Sequence, residues 1–349
     1  MCGFRLKLVA RRNRPEAKKS GSPNAHQPVA MWLMLALGLL ATLYPLAAAE
    51  KLNYVDKQKP GPDPCEAAEC SSRLPQLSTT ATRHLRHIYA SVMGFSDDAT
   101  DEDIKTGINR TVHNPQYTML PPSGLDNFRS AIEFVVANGV GGDVVELGVW
   151  RGGLGMYGRA VLDALGETHR SVHLFDVFDS LSLPGYAGAQ NFGTSAQNSV
   201  ASIRGTFHKY GLFVEGRVHF HEGLFNDTIP SFLRKRVHHR SNGTTLKDGA
   251  RNKIAVLRLD GNFYMSYQDA MYGLYQLVPV GGVVIFDDVF SHTAVQAFWR
   301  DFVKDYRLTE KMIKVKTDDA IGYFIKQRNI EIDWSKYRQP AAMRKFWRF

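Results

Sequence analysis

The chain has 349 residues, 44% of them hydrophobic and 22% charged. That is the composition of a globular protein with room for one catalytic domain and accessory segments, and it excludes a disordered or fibrous chain. The formal net charge of +9 is concentrated at the ends: residues 1–28 carry a net +6 and residues 326–349 a net +5, leaving −2 between them. A nucleic-acid footprint belongs on the binding domain itself, so this distribution argues against a nucleic-acid partner.

Residues 29–49 contain no charge and are long enough to cross a bilayer. The basic residues Arg5 to Lys19 precede them, which keeps the N-terminus cytosolic and sends the remainder across. The pattern predicts a basic cytosolic tail at 1–28 and a transmembrane signal-anchor at 29–49. The protein would then be a single-pass type II membrane protein of the ER or Golgi with a luminal catalytic domain. Ala47-Ala48-Ala49 also offers a cleavage site, and cleavage there would release a secreted protein. Three triplets, Asn109-Arg-Thr, Asn226-Asp-Thr and Asn242-Gly-Thr, match glycosylation acceptors and agree with this topology, which makes a glycoprotein the expectation. The three cysteines, Cys2, Cys65 and Cys70, fall outside the catalytic region, so no cysteine nucleophile or zinc cluster is available there. Cys65 and Cys70 can pair in an oxidising lumen or remain free thiols.

Residues 50–115 are rich in Pro, Ser, Asp and Lys, with one short helical pattern at 83–93, and read as a stem. Residues 116–328 form the catalytic domain, and residues 329–349 a basic C-terminal tail. Within the domain, apolar residues recur at helical spacing over 125–138. Short apolar runs at 143–148, 171–176, 217–221, 254–260 and 282–287 read as strands. Helical stretches lie at 154–165, 195–210, 266–278 and 293–306. Alternating strands and helices mean a mostly parallel sheet covered on both faces. Residues 311–316 and 321–326 flank Thr317-Asp318-Asp319 as a closing antiparallel hairpin. Residues 238–252 read as a surface loop, and the basic run at 234–240 beside it as a solvated face.

Ligands of open α/β sheets bind beyond the carboxyl ends of the strands, so the residues there carry the chemistry. The first strand ends in Glu146-Leu-Gly148, followed by Arg151-Gly152-Gly153. These glycines let the backbone approach a ligand closely, and the following helix N-terminus favours a carboxylate. The second strand ends in Asp176, placed where a dinucleotide fold keeps its ribose-binding acid. Asp260 ends the fourth strand and Asp287-Asp288 the fifth. Each acid alone would serve as a helix cap. Three carboxylates at adjacent strand ends repel one another and call for a cation, with hard oxygen ligands suiting Mg²⁺ or another divalent ion. Such an ion could bind a substrate hydroxyl, lower its pKa and hold it for in-line attack. His292 lies nearby in sequence and reads as structural.

Five segments in order resemble the macrocin O-methyltransferase (TylF-type) family within the class I methyltransferases. They are the glycine-rich segment from Gly142 to Gly153, Tyr210-Gly-Leu212, the segment from Gly223 to Pro230, Leu257-Arg-Leu-Asp-Gly-Asn-Phe-Tyr264, and the run from Pro279 to Asp288. The resemblance implies a Rossmann-like sheet with S-adenosylmethionine as methyl donor and a divalent metal, Mg²⁺ or another cation, near the acceptor. By position, Glu146, Gly148, Gly152 and Gly153 would surround the methionine part of the donor. Asp176 would hold the ribose, and Gly223 and Phe225 would border the adenine. Asp260, Asp287 and Asp288 would be metal ligands, with Asp260 also accepting the acceptor's proton. The family pattern after Leu-Asp-Gly is Asp-Leu-Tyr-Glu-Ser, whereas this chain has Asn262-Phe-Tyr-Met-Ser266, which bears on acceptor recognition.

The leading expectation is therefore a luminal, metal-assisted O-methyltransferase acting on a sugar or other hydroxyl-bearing small molecule. A Golgi-type metal-dependent glycosyltransferase would share the topology, stem and aspartates. A non-catalytic methyltransferase-fold binding module would account for Asn262 and Met265.

Overall fold

The apolar runs form a single seven-stranded sheet: β1 (Asp143–Leu147), β2 (Val172–Asp176), β3 (Val218–Glu222), β4 (Ile254–Leu259), β5 (Val283–Phe286), β6 (Ile313–Lys314) and β7 (Gly322–Ile325). The computed structural model describes residues 60–107, 115–178, 198–241 and 253–337, apart from 67 and 97. The strand order is 3-2-1-4-5-7-6, with β1 to β5 parallel and β7 antiparallel to both β5 and β6. Strands buried on both faces favour apolar residues on both sides, which is why β4 reads as a hydrophobic run interrupted only by Arg258.

The helices among the described residues are α1 (Ala68–Ser72), α2 (Thr79–Val92), α3 (Asp101–Thr106), α4 (Pro122–Ala137), α5 (Gly153–Ala164), α6 (Val200–Lys209), α7 (Phe225–Ser241), α8 (Tyr264–Leu274) and α9 (Thr293–Tyr306). One core contains Leu85, Phe128, Tyr157 and Phe207 from α2, α4, α5 and α6, against Val144, Val256 and Ile285 of the sheet. The other contains Ile229, Met271 and Trp299 from α7, α8 and α9, against Val145, Leu257 and Phe286. The alternation along each strand thus sends one set of side chains to each helical layer. Each such side chain, fully buried, contributes roughly 1.5–3 kcal/mol.

The strand order reverses between β1, whose crossover leads to β2 on one side, and β4, which lies on the other side. That switch point opens a crevice at the carboxyl ends of the central strands.

The structure adds three facts to the expectations from sequence. Within the segment read as a stem, residues from Pro60 onward pack on the domain, and of the two alternatives for Cys65 and Cys70 the disulfide is the one present. The basic tail is packed through Tyr337, whose ring lies on Tyr272 and whose hydroxyl donates to Asp269. Asn226 is only 6% exposed near the start of α7, so its triplet is not an accessible glycosylation site.

Among the described residues no helix is long and apolar enough to cross a membrane. The anchor at 29–49 and the triplets at Asn109 and Asn242 lie outside the described residues.

Candidate active site

The carboxyl ends of β1, β4 and β5 bring together the acids that the sequence singles out. In register, Glu146 of β1 sits beside Arg258 of β4, and Arg258 sits beside Ile285 of β5. With a period of two, Asp260 follows Arg258 and Asp287 follows Ile285 on the same side of the sheet. The guanidinium of Arg258 gathers these acids. Its Nη1 lies 3.4 Å from Glu146 Oε1, and its Nη2 lies 3.0 Å from Asp260 Oδ2 and 2.6 Å from Asp287 Oδ2. Arg258 is 2% exposed, so its charge is supported by these carboxylates and not by water. Burial opposes its charged form, yet Asp260, Asp287 and Glu146 hold its pKa above the ordinary arginine value.

The acids feel the same enclosure. Burial pushes the Glu146 carboxyl up to about 8 despite the attraction of Arg258. Its Oε2 makes no hydrogen bond of normal geometry. Burial, then the neighbouring Asp260, raise Asp287 well above the carboxylate range.

Asp288 behaves differently. Its backbone takes a left-handed conformation at φ 57°, and its Oδ1 lies 2.9 Å from Ser291 Oγ and 3.0 Å from His292 Nδ1. The expected three-way convergence of Asp260, Asp287 and Asp288 is therefore partial: two share Arg258, while the third turns toward the start of α9. Among the described residues, no three His, Cys, Asp or Glu side chains stand together as a metal-holding group. The cation that mutual repulsion calls for is supplied in part by Arg258, which sequence reasoning missed.

The glycine-rich turn is built around close backbone contacts. Gly148 has φ 89°, and a Cβ there would overlap the Asp260 carbonyl oxygen, so only glycine lets β1 and β4 meet. Gly152 is the N-cap of α5 in the left-handed region and makes no side-chain cap bond, while the Glu146 carboxyl faces the Gly155 N–H of the first turn. The Gly153 N–H donates to the Tyr117 carbonyl at 2.9 Å, tying the turn to the segment before α4. Asp176 braces the same turn: its Oδ2 accepts from Val149 N at 2.6 Å and Trp150 N at 3.1 Å. A carboxylate has lone pairs beyond these two, so Asp176 can still accept a further hydroxyl.

Gly223 donates its N–H to the Asp176 carbonyl, and Phe225 stands beside Gly261, close to the Asp260 turn. Of the residues singled out from the sequence, Glu146, Gly148, Asp260, Asp287 and Asp288 line one cleft, while Gly152, Gly153, Asp176, Gly223 and Phe225 lie on the neighbouring turns and are not part of its lining.

Strain marks the same rim. Trp150, Phe178, Asn262 and Asp288 are non-glycine residues at φ between 51° and 58°, each just after β1, β2, β4 or β5. Such conformations cost roughly 1–3 kcal/mol each and concentrate at functional sites.

The crevice opens as a cleft of about 270 Å³. One wall carries Glu146, Asp260, Asn262, Asp287 and Asp288; the lips are residues 118–121 and 318–321. A larger cavity of about 470 Å³ lies among α2, α3 and α4, away from the strand ends where this chemistry collects.

Comparisons with known proteins agree with this geometry. Residues 78–326 match the family described as Macrocin-O-methyltransferase (TylF). The chain is 36% identical over 199 residues to the 8-demethyl-8-(2,3-dimethoxy-alpha-L-rhamnosyl)-tetracenomycin-C 4'-O-methyltransferase of Streptomyces olivaceus, covering 55% of this chain and 67% of that protein. It is 33% identical over 214 residues to the demethyldecarbamoylnovobiocin O-methyltransferase of Streptomyces niveus, covering 58% and 73%. Among solved structures, the O-methyltransferase NovP superposes with a TM-score of 0.55 at 28% identity, over 71% of this chain and 98% of its own.

Proposed function

The chain belongs to the macrocin O-methyltransferase family, and we propose that this S-adenosylmethionine-dependent O-methyltransferase acts in the cleft at the ends of β1, β4 and β5 on a hydroxyl of a sugar or similar small molecule. The observation that carries this reading is the meeting of Glu146, Arg258, Asp260 and Asp287 beside the turn that opens at Gly148. A rhamnosyl group stands in the printed name of the tetracenomycin relative, and the acidic wall suits a polyhydroxylated acceptor.

The donor supplies a methyl group on a sulfonium sulfur, which an oxygen nucleophile takes directly. The chain's own residues divide the remaining work. Glu146, on the cleft wall beside Gly148, suits the donor's ammonium group, and the N-terminal end of α5 behind Gly152 suits its carboxylate. Asp176 would accept from the ribose, and Gly223 and Phe225 would border the adenine. Asp260, 26% exposed at its side chain, would accept the hydroxyl proton as the new carbon–oxygen bond forms. The cleft walls hold the acceptor in line and keep bulk water out.

The acids also fit a divalent cation. Glu146, Asp260 and Asp287 share one guanidinium, Asp288 stands on the same cleft wall, and their oxygens are hard donors. Mg²⁺ keeps several waters and needs only one or two protein carboxylates, so Asp260 and Asp287 with Asp288 nearby would hold it. There it would lower the pKa of the acceptor hydroxyl.

The compartment is an oxidising one in this proposal, the lumen of the ER or Golgi or the exterior, with residues 29–49 as the anchor or a cleaved signal. The Cys65–Cys70 disulfide supports it. The family match gives no support to the glycosyltransferase or binding-module readings.

Calorimetric titration of S-adenosylmethionine into the purified chain, with and without Mg²⁺, tests the proposal. Binding in the micromolar range supports it, and no heat of binding in either buffer rejects it.

A further inference from the structure

Residues 60–73 precede the matched family region, which begins at residue 78, yet they are built onto the domain. On one side they hold the hairpin. Pro60 bridges Lys314, the Gly61 N–H donates to the Lys314 carbonyl at 3.0 Å, and the buried Tyr323 donates its hydroxyl to the Pro62 carbonyl. Gly61 lies so close to Ile313 that a Cβ would overlap its side chain. On the other side they hold α4. Asn127 Nδ2 donates to Asp63 Oδ1 at 2.8 Å, and the Cys65 N–H donates to Ser130 Oγ at 2.7 Å. Further along, Arg73 Nη1 reaches Asn138 Oδ1 at 3.1 Å. The Cys65–Cys70 disulfide closes the turn within the α4-facing contacts, between Cys65 and Arg73, directly after the hairpin contacts of residues 60–62, and both cysteines are buried. The exposed Lys316–Glu66 pair adds little, because water screens it.

The two parts held together are those that frame the cleft. Residues 118–121 run into α4, and residues 318–321 form the turn of the hairpin. The direct bond between the two lips is long, 3.4 Å from Ser123 Oγ to Asp318 Oδ2. We propose that residues 60–73 are a disulfide-closed clasp that fixes the separation of the two lips, and so sets the room for the acceptor without touching the donor site. This rests on reading the cleft as the acceptor site. A carboxylate and a disulfide outside the cleft lining, Asp63 and Cys65–Cys70, thereby become positioning residues.

Hydrogen exchange followed by mass spectrometry tests this on the full chain, comparing it with the Cys65→Ser/Cys70→Ser double variant and with Asp63→Ala. The expected result is exchange at least tenfold faster at residues 118–121 and 313–323 in both variants. Exchange in β1 and α5 should be unchanged, and the calorimetric Kd for S-adenosylmethionine should stay within twofold. Faster exchange confined to residues 60–73 would overturn the proposal, and so would a uniform rise across the whole domain. Failure of the unaltered chain to bind S-adenosylmethionine would instead strike the functional reading, leaving the exchange pattern to be judged separately.

Discussion

Nη2 of Arg258 stands 2.6 Å from Oδ2 of Asp287, and the same nitrogen holds Oδ2 of Asp260 at 3.0 Å. One buried donor thus fixes two carboxylates from adjacent strands. Removing it leaves buried acids uncompensated, so Arg258→Met should cost about 3–5 kcal/mol of stability in urea unfolding. The same change combined with Asp260→Asn and Asp287→Asn should cost less than in the otherwise unaltered chain, because the charge it compensated is gone. Equal costs in both backgrounds would mean that the guanidinium is not the acids' countercharge.

Gly148 and Gly166 both have positive φ, 89° and 75°, but only Gly148 faces another strand's backbone. Gly166→Ala meets open space and should cost about 1 kcal/mol, the ordinary penalty for a side chain in that conformation. Gly148→Ala must also push the Asp260 turn away, so it should weaken S-adenosylmethionine binding by tenfold or more. Calorimetry on the pair separates the two effects, and matched affinities would refute the close-approach argument.

Asp269 is buried and accepts a hydrogen bond from Tyr337. Burial pushes its carboxyl up to about 7, with the Tyr337 bond pulling the other way. Between about pH 4, where the unfolded chain ionises, and pH 7, the folded protein binds more protons. Stability should therefore fall as pH rises through that window, by at most about 1.4 kcal/mol per pH unit from this group. Asp269→Asn should flatten the fall relative to the parent in urea titrations at pH 4.5, 6 and 7.5. An unchanged slope would show that Asp269 titrates as an exposed acid.

The burial of Asn226 gives a simple test of the triplet at that position. Produced in glycosylating cells, Asn226→Gln should show the same glycan mass as the parent after peptide mapping. A lost glycan would mean that the start of α7 is open to the transferase.

Much of this was legible in the chain. Apolar runs located β1, β2, β4 and β5 to within a residue or two, because strands covered on both faces favour apolar residues, and the half-buried edge strand β3 shows only the weaker alternation Val-His-Phe-His-Glu. The helix at Thr293–Tyr306 matches its periodicity at both ends. The strand-end residues Glu146, Gly148, Asp260 and Asp287 follow from the topology alone.

Arg258 was missed, although a charged residue in the otherwise apolar run from Ile254 to Leu259, two before Asp260, must share that acid's face. The turn of Asp288 toward Ser291 and His292 depends on a left-handed backbone that an aspartate pair does not announce. Helix α7 was hidden by Pro230 inside it and by the basic run in its second half. The packing of residues 60–73 comes from a disulfide and backbone bonds, which leave no hydrophobic period to read.

The most direct test of the account is transfer of a labelled methyl group from S-adenosylmethionine to a panel of neutral glycosides and cell-extract fractions, comparing the full chain with Asp260→Asn. The account predicts a methyl ether on a hydroxyl oxygen, formed by the full chain and reduced at least a hundredfold in a folded Asp260→Asn variant. Undiminished transfer by that variant, or a product methylated on nitrogen or as a carboxyl ester, would contradict it.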